Sequence, residues 1–294
     1  MRTNFPVNLN IYPSQPSEDA PEVETFNFAN QQEAIRLFGI AGRIWEAAYV
    51  LNSYIKPSGR VYEPPLFPET RNPVRIIELG SGSGVVAATM ADVLDRTRDI
   101  IFATDLPEVC PLLEQNLEAH LHDANRGPIF VRPLSWGNSQ HAVSITEELS
   151  NPATTHDFPH LTHIICSDLV YFPELLAPLL RSLIQLSSPP FVVEPSDVRV
   201  IISYKIRSLA KETPFWSAFG LWFEFTPVLV QKTDLRHVSP LHRLGSDLED
   251  PTFVFVARRR EQSFHWNVPP NDEDLMHSGD DTFETLLLMS LDEQ

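Results

Sequence analysis

Cysteine is scarce in this chain: among 294 residues there are two, Cys110 and Cys166. Two thiols cannot build a disulfide framework, and Cys166 lies in an apolar run where a buried thiol is the default. That predicts a reducing compartment. Positive charge is short too, with 22 lysines and arginines against 39 aspartates and glutamates and a formal net charge of −17. Affinity for nucleic-acid phosphates comes mainly from Lys and Arg displacing counterions, so a nucleic-acid partner is not expected. An acidic surface attracts basic protein segments instead. No apolar run approaches the roughly 20 residues of a membrane helix, and the opening Met1 to Pro6 starts no run of signal-peptide length. The expectation is a soluble intracellular protein with no membrane partner, cytoplasmic with the nucleus also open.

Two kinds of catalytic pattern are missing as well. His156, His160 and His163 have metal-like spacing, but Pro159 interrupts any helix that would align them and no cysteine pair accompanies them. They read as a solvated loop, and no metal is expected. Ser81 and Ser83 lack a G-x-S-x-G elbow, which leaves nucleophilic hydrolysis unsupported.

What the chain does have is the stretch Val74-Arg75-Ile76-Ile77-Glu78-Leu79-Gly80-Ser81-Gly82-Ser83-Gly84, an apolar strand running into alternating glycines. Without a Cβ, Gly80, Gly82 and Gly84 can take positive φ and let a ligand approach the backbone closely. Such turns serve both dinucleotides and S-adenosylmethionine. The dinucleotide fingerprint G-x-G-x-x-G uses its third glycine for close packing beside the pyrophosphate. Val85 stands in that place here. A second strand, Ile100 to Thr104, ends in Asp105, where a carboxylate can accept hydrogen bonds from ribose hydroxyls that both ligand classes carry.

Residues 1–25, rich in Pro, Ser and Glu, read as a flexible N-terminal arm. From Phe26 onward Ile44, Ala47, Ala48, Leu51 and Ile55 fall on one helical face. Strands are predicted over 74–80, 100–105, 129–134, 161–168 and 198–206, and helices over 84–95, 107–121 and 173–186, with Pro107 and Pro173 in first turns. This βαβ series predicts a parallel sheet. A short helix is expected near Pro214 to Phe219. Phe223 to Val230 and Phe253 to Ala257 then form strands with no helix between them, which suggests an antiparallel edge hairpin around a polar insertion. The aromatic group Phe215, Trp216, Phe219, Trp222, Phe223 and Phe225 reads as core, with a substrate channel as the sharper alternative. After Arg260 no lysine or arginine occurs while acids accumulate, so residues 261–294 are expected to be a disordered acidic tail, with Leu286 to Met289 a candidate short docking helix.

Four segments together carry a resemblance: Gly42-Arg43-Ile44-Trp45-Glu46-Ala47-Ala48, the turn Glu78 to Gly84, Leu134-Ser135-Trp136-Gly137, and Ser167-Asp168-Leu169-Val170-Tyr171. In order and spacing the chain resembles the seven-β-strand protein lysine methyltransferases of the methyltransferase-like 21 type, from about Phe26 to Ala257. The resemblance implies one domain over residues 26–260, an α/β, Rossmann-like class I methyltransferase fold with a doubly wound, mostly parallel seven-strand sheet and a terminal antiparallel hairpin. It implies S-adenosyl-L-methionine as cofactor, with Glu78, Gly80, Ser81 and Gly82 in the turn, contact from Trp45 to the methionine end, and Ser167 close by where relatives often have alanine. An indole at Trp136 can stack on or wall off an adenine, and Asp105 is the ribose candidate. The plainer readings are a core tryptophan at 45 and a loop anchor at 136.

Asp168 and Tyr171 are the catalytic candidates, an acid at the fourth strand's end and a phenol three residues on. Methyl transfer is an in-line displacement that needs an unprotonated amine and alignment more than a strong base. A carboxylate can orient the amine, and an aromatic rim lowers its pKa by desolvation. A helix cap at Asp168 and plain packing at Tyr171 are the alternatives. The expected activity is methylation of a lysine in a folded non-histone protein, for which the resemblance implies an elongation factor, an AAA ATPase or a heat-shock chaperone. The other readings are methylation of a small molecule or a protein N-terminus, and a cofactor-binding scaffold without activity.

Overall fold

The computed structural model describes residues 10–15, 24–68, 72–120, 129–149, 160–194, 197–232, 240–246, 252–277 and 279–291. The elements are α1 (Phe28–Phe38), α2 (Glu46–Ile55), β1 (Arg60–Glu63), β2 (Arg75–Leu79), α3 (Val85–Val93), β3 (Ile100–Asp105), α4 (Cys110–His120) and β4 (Ile129–Pro133). There follow α5 (Ser139–Leu149), β5 (His163–Ser167), α6 (Pro173–Leu186), β6 (Arg199–Lys205), α7 (Leu209–Trp222), β7 (Phe223–Pro227), β8 (Leu229–Lys232), β9 (His242–Arg243), β10 (Thr252–Arg259), α8 (Asp272–His277) and α9 (Thr282–Leu291).

The main sheet has seven strands in the order β4-β3-β2-β5-β6-β10-β7. The pairs from β4 through β6 are parallel, and β10 runs antiparallel to both β6 and β7. The doubly wound, mostly parallel expectation therefore holds, with β10 and β7 as the antiparallel pair. Side chains alternate between two apolar layers. Ile77, Leu79, Phe102, Ile164, Cys166 and Ile202 face one layer with α6 and α7, while Ile76, Ile101, Ala103, Ile165 and Ile201 face the other with α2 and α3. Burial on both faces is why β2 reads as a continuous apolar run rather than an alternating one. The strand order reverses beside β2, where in open α/β sheets the crevice beyond the strands' carboxyl ends receives ligands.

Several expectations need correction. The helix placed near 214–219 runs over Leu209–Trp222, and its aromatics Phe215, Trp216 and Phe219 are fully buried, so they form core and line no channel. The helix expected from Pro107 begins at Cys110, after a turn in which Val109 N donates to Leu106 O at 2.9 Å. An unpredicted helix, α5, buries Ala142, Ile145 and Leu149. A second, three-stranded sheet in the order β1-β8-β9 was also unforeseen. His163 is buried within β5 rather than set in a solvated loop. His156 lies outside the described residues.

The acidic tail departs most from expectation. Asp280 accepts a hydrogen bond from Arg260, and Phe283 is buried completely in the layer containing Trp216, the two rings stacked with centroids 5.0 Å apart. Charge counting missed this because one apolar ring in a core outweighs an acidic surface. At the other end, Ser14 is buried, donates to Ile44 O at 2.5 Å and accepts from Gln31 through no free turn of chain but across 17 residues, its carbonyl taking Nε2 at 3.0 Å. Ser14 of the predicted flexible arm is thus fastened to Gln31 of α1 and to Ile44; apart from 10–15 and 24–25, the arm's residues lie outside the described residues. Among the described residues no helix is long and apolar enough to cross a membrane.

Candidate active site

The turn after β2 is left-handed at its three glycines, with φ of 60° at Gly80, 53° at Gly82 and 88° at Gly84. Space demands glycine as much as conformation does. A Cβ on Gly80 would lie 2.7 Å from Leu169 Cδ2 and 3.1 Å from Trp136 Cζ2, and one on Gly82 would lie 3.0 Å from Ala41 O. The indole of Trp136 and the side chain of Leu169 therefore lie directly against the first glycine.

Ser81 ties the turn to the neighbouring strand. Its N–H donates to Thr104 O at 2.9 Å and its hydroxyl to Glu78 Oε2 at 2.8 Å, while Thr104 N donates to Ser81 Oγ at 3.1 Å. Glu78 is buried under the turn, and burial pushes its carboxyl up to about 8, against the pull of the Ser81 hydroxyl and with some push from Asp105. Glu78 and Ser81 hold the turn in shape with their side chains; the surface the turn offers is its backbone.

Asp105 closes the turn from β3. Its Oδ2 accepts from Gly82 N and its Oδ1 from Leu106 N, both at 2.7 Å. Burial raises its carboxyl to about 6, partly offset by those two bonds.

Opposite the turn, β5 delivers Ser167 and Asp168. Ser167 Oγ accepts from Ser203 Oγ at 3.1 Å. Asp168 is the only non-glycine with positive φ among the described residues, at 61°. Aspartate tolerates that region better than most residues, and Asp168 N donates to Ser203 O at 2.8 Å to fix it. The Asp168 side chain has no solvent exposure, and Arg207 grips it with Nη1 to Oδ1 at 2.6 Å and Nη2 to Oδ2 at 2.5 Å.

Tyr171 follows on the same loop, its ring edge-on to Trp136 at 6.5 Å between centroids and to Phe172 at 4.7 Å. Burial, with the charges of Asp105 and Asp168, pushes its phenol well above the ordinary tyrosine range, so it stays protonated at neutral pH. A phenol held protonated does not serve as a base, and the contacts of Tyr171 are ring contacts with Trp136 and Phe172. Trp45 stands at the start of α2, its Nε1 donating to Ile40 O at 3.2 Å, with Arg43 and Arg207 over the ring at 4.3 and 5.1 Å from its centroid.

The structure thus brings Gly80, Ser81, Gly82, Asp105, Trp136, Ser167, Asp168 and Tyr171 to the carboxyl ends of β2 to β5, with Trp45 joined to Asp168 through Arg207. Sequence reasoning missed Arg207, and it named Arg43 and Glu46, which pair at 2.5 Å, only as part of a motif and without a role. The signal for Arg207 was available: a charged residue just past the end of a parallel strand falls in the ligand crevice by the rule that singled out Asp105.

A family model described as lysine methyltransferase matches residues 27–219. Among curated proteins, the chain is similar to the protein N-lysine methyltransferase METTL21A of Xenopus tropicalis, 25% identical over 218 residues that cover 73% of this chain and 85% of that relative. METTL21A of Mus musculus is 28% identical over 58% of this chain and 67% of its own length. The EEF1A lysine methyltransferase 3 of Mus musculus is 25% identical over 51% of this chain and 53% of its own.

Proposed function

Because the chain belongs to the lysine methyltransferase family, we propose that it uses S-adenosylmethionine to methylate the side-chain amine of a lysine in a folded non-histone protein. The observation that carries this reading is the junction of the Gly80–Gly84 turn with Asp105 on one side and with Asp168 and Tyr171 on the other.

The residues fit that cofactor. The left-handed glycines let the turn pack closely against Leu169, Trp136 and Ala41 and present its backbone at the crevice, and Asp105 offers carboxylate oxygens to ribose hydroxyls. Arg43 and Glu46 beside Trp45 offer both signs of charge, as an amino-acid zwitterion requires. When bound, S-adenosylmethionine supplies an electrophilic methyl on a sulfonium. The chain's own part is to seat the acceptor: Asp168 and the aromatic rim of Trp136, Tyr171 and Phe172 orient the amine and exclude water, and desolvation favours its neutral, nucleophilic form. The acidic surface draws in a basic segment of the target. A non-histone target is in line with the similarity to the EEF1A lysine methyltransferase 3 of Mus musculus.

The test is transfer of labelled methyl from S-adenosylmethionine into a cell lysate, followed by complete hydrolysis of the labelled protein. Label in Nε-methyl-lysine is expected. Label in an N-terminal residue, or in small molecules only, overturns the lysine reading.

A further inference from the structure

Arg207 is held by its backbone before its side chain reaches anything. Arg207 N donates to Glu212 Oε2 at 3.2 Å and Ser208 N to Glu212 Oε1 at 3.0 Å. Tyr204 OH donates to the same carboxylate at 2.5 Å, and Glu212 is buried. From this anchored position the guanidinium takes both oxygens of Asp168 and also approaches Glu46 Oε2 at 3.4 Å. Its side chain keeps 27% exposure while that of Asp168 has none.

An amine attacks a methyl carbon only through its lone pair, yet a lysine ordinarily titrates near 10.4. A bare buried carboxylate beside it would favour the ammonium and oppose the reaction. Arginine stays protonated under all ordinary conditions. We propose that Arg207 neutralises Asp168, so that the incoming lysine meets an ion pair rather than a bare carboxylate and its amine stays free to react. This rests on the methyltransferase reading. Arg207 is a positioning residue, acting through Asp168. The ammonium proton leaves to water; the Nζ lone pair then forms the N–C bond as the S–C bond breaks, its electron pair staying on sulfur.

The other charges around the pair do not replace Arg207. Glu46 is matched by Arg43. Lys205 donates its backbone N–H to Asp168 Oδ1 at 3.3 Å, and its side-chain charge acts on Glu46. Glu212 is committed to backbone and Tyr204, and the remaining neighbours felt at Tyr171, Asp105 and Glu174, are acids that would only strengthen a bare carboxylate's effect.

The test compares wild type with R207Q, R207K, D168N and D168N/R207Q as full chains. Rates of labelled-methyl incorporation into the lysate protein that wild type methylates are measured from neutral to alkaline pH, with unfolding temperature and S-adenosylhomocysteine affinity of each variant alongside. R207Q should lose about tenfold in rate at neutral pH and regain it as pH rises, its profile displaced by about one pH unit. R207K keeps the charge but not the two-point grip, so its profile should stay at the wild-type position on the pH axis at a lower rate; D168N/R207Q should return to that position because both charges are gone, with its rate lowered by the loss of the Asp168 carboxylate. Without ligand, D168N/R207Q should unfold no earlier than R207Q. An R207Q profile that falls equally at every pH, or a double variant displaced like R207Q, overturns the inference while leaving the methyltransferase reading intact. A wild type that neither binds S-adenosylhomocysteine nor transfers methyl removes both.

Discussion

The Asp105 carboxylate accepts a hydrogen bond from the Gly82 backbone N–H at 2.7 Å, which joins the end of β3 to the middle of the glycine turn. Burial sets that carboxyl at about 6, so it gains a proton just below neutrality. The ionised form accepts from a ribose hydroxyl more strongly than the neutral acid. Affinity for S-adenosylhomocysteine should therefore be level above that value and fall as pH drops through it, by up to about tenfold per pH unit. Calorimetric titrations at several pH values check this, and Asp105→Asn should flatten the acid limb.

Gly80→Ala tests the turn itself. A methyl there meets Leu169 and Trp136 at a φ of 60°. Strain of this kind costs about 1–3 kcal/mol. Thermal unfolding should show a folded protein with a lower midpoint, and its S-adenosylhomocysteine affinity should drop because Leu169 and Trp136, which pack on the first glycine, must shift.

Much of this was legible in the sequence. The five parallel strands were found because β2, β3, β5 and β6 are sandwiched between layers and so carry unbroken apolar runs, and the glycine turn was found because only glycine suits both its φ and its crowding. Arg207 was passed over although it stands just past the end of β6, because what it does shows only in a contact across 39 residues to Asp168. The tail was misread for a similar reason: its composition is acidic, but Phe283 answers to Trp216 in the core rather than to its own neighbours.

Phe283→Ala follows from that. Removing a fully buried ring should cost about 3–5 kcal/mol. Chemical denaturation should show the loss with the transition still cooperative. An unchanged midpoint would mean that α9 does not belong to the folded domain.

At the rim, ring and hydroxyl can be separated. Tyr171 stays protonated and packs against Trp136 and Phe172. Tyr171→Phe should keep most of the methyl-transfer rate, whereas Tyr171→Ala should lose on the order of tenfold or more, in proportion to the rim packing removed. Initial rates with saturating cofactor distinguish the two.

The most direct test of the cofactor site is calorimetric titration of the purified chain with S-adenosylhomocysteine, with Asp105→Ala in parallel. The account predicts binding by wild type and a loss of about 1.5–3 kcal/mol in the variant, the worth of a hydrogen bond to a charged group. A folded wild type that takes up no S-adenosylhomocysteine, or an Asp105→Ala variant that binds it equally well, would contradict the account.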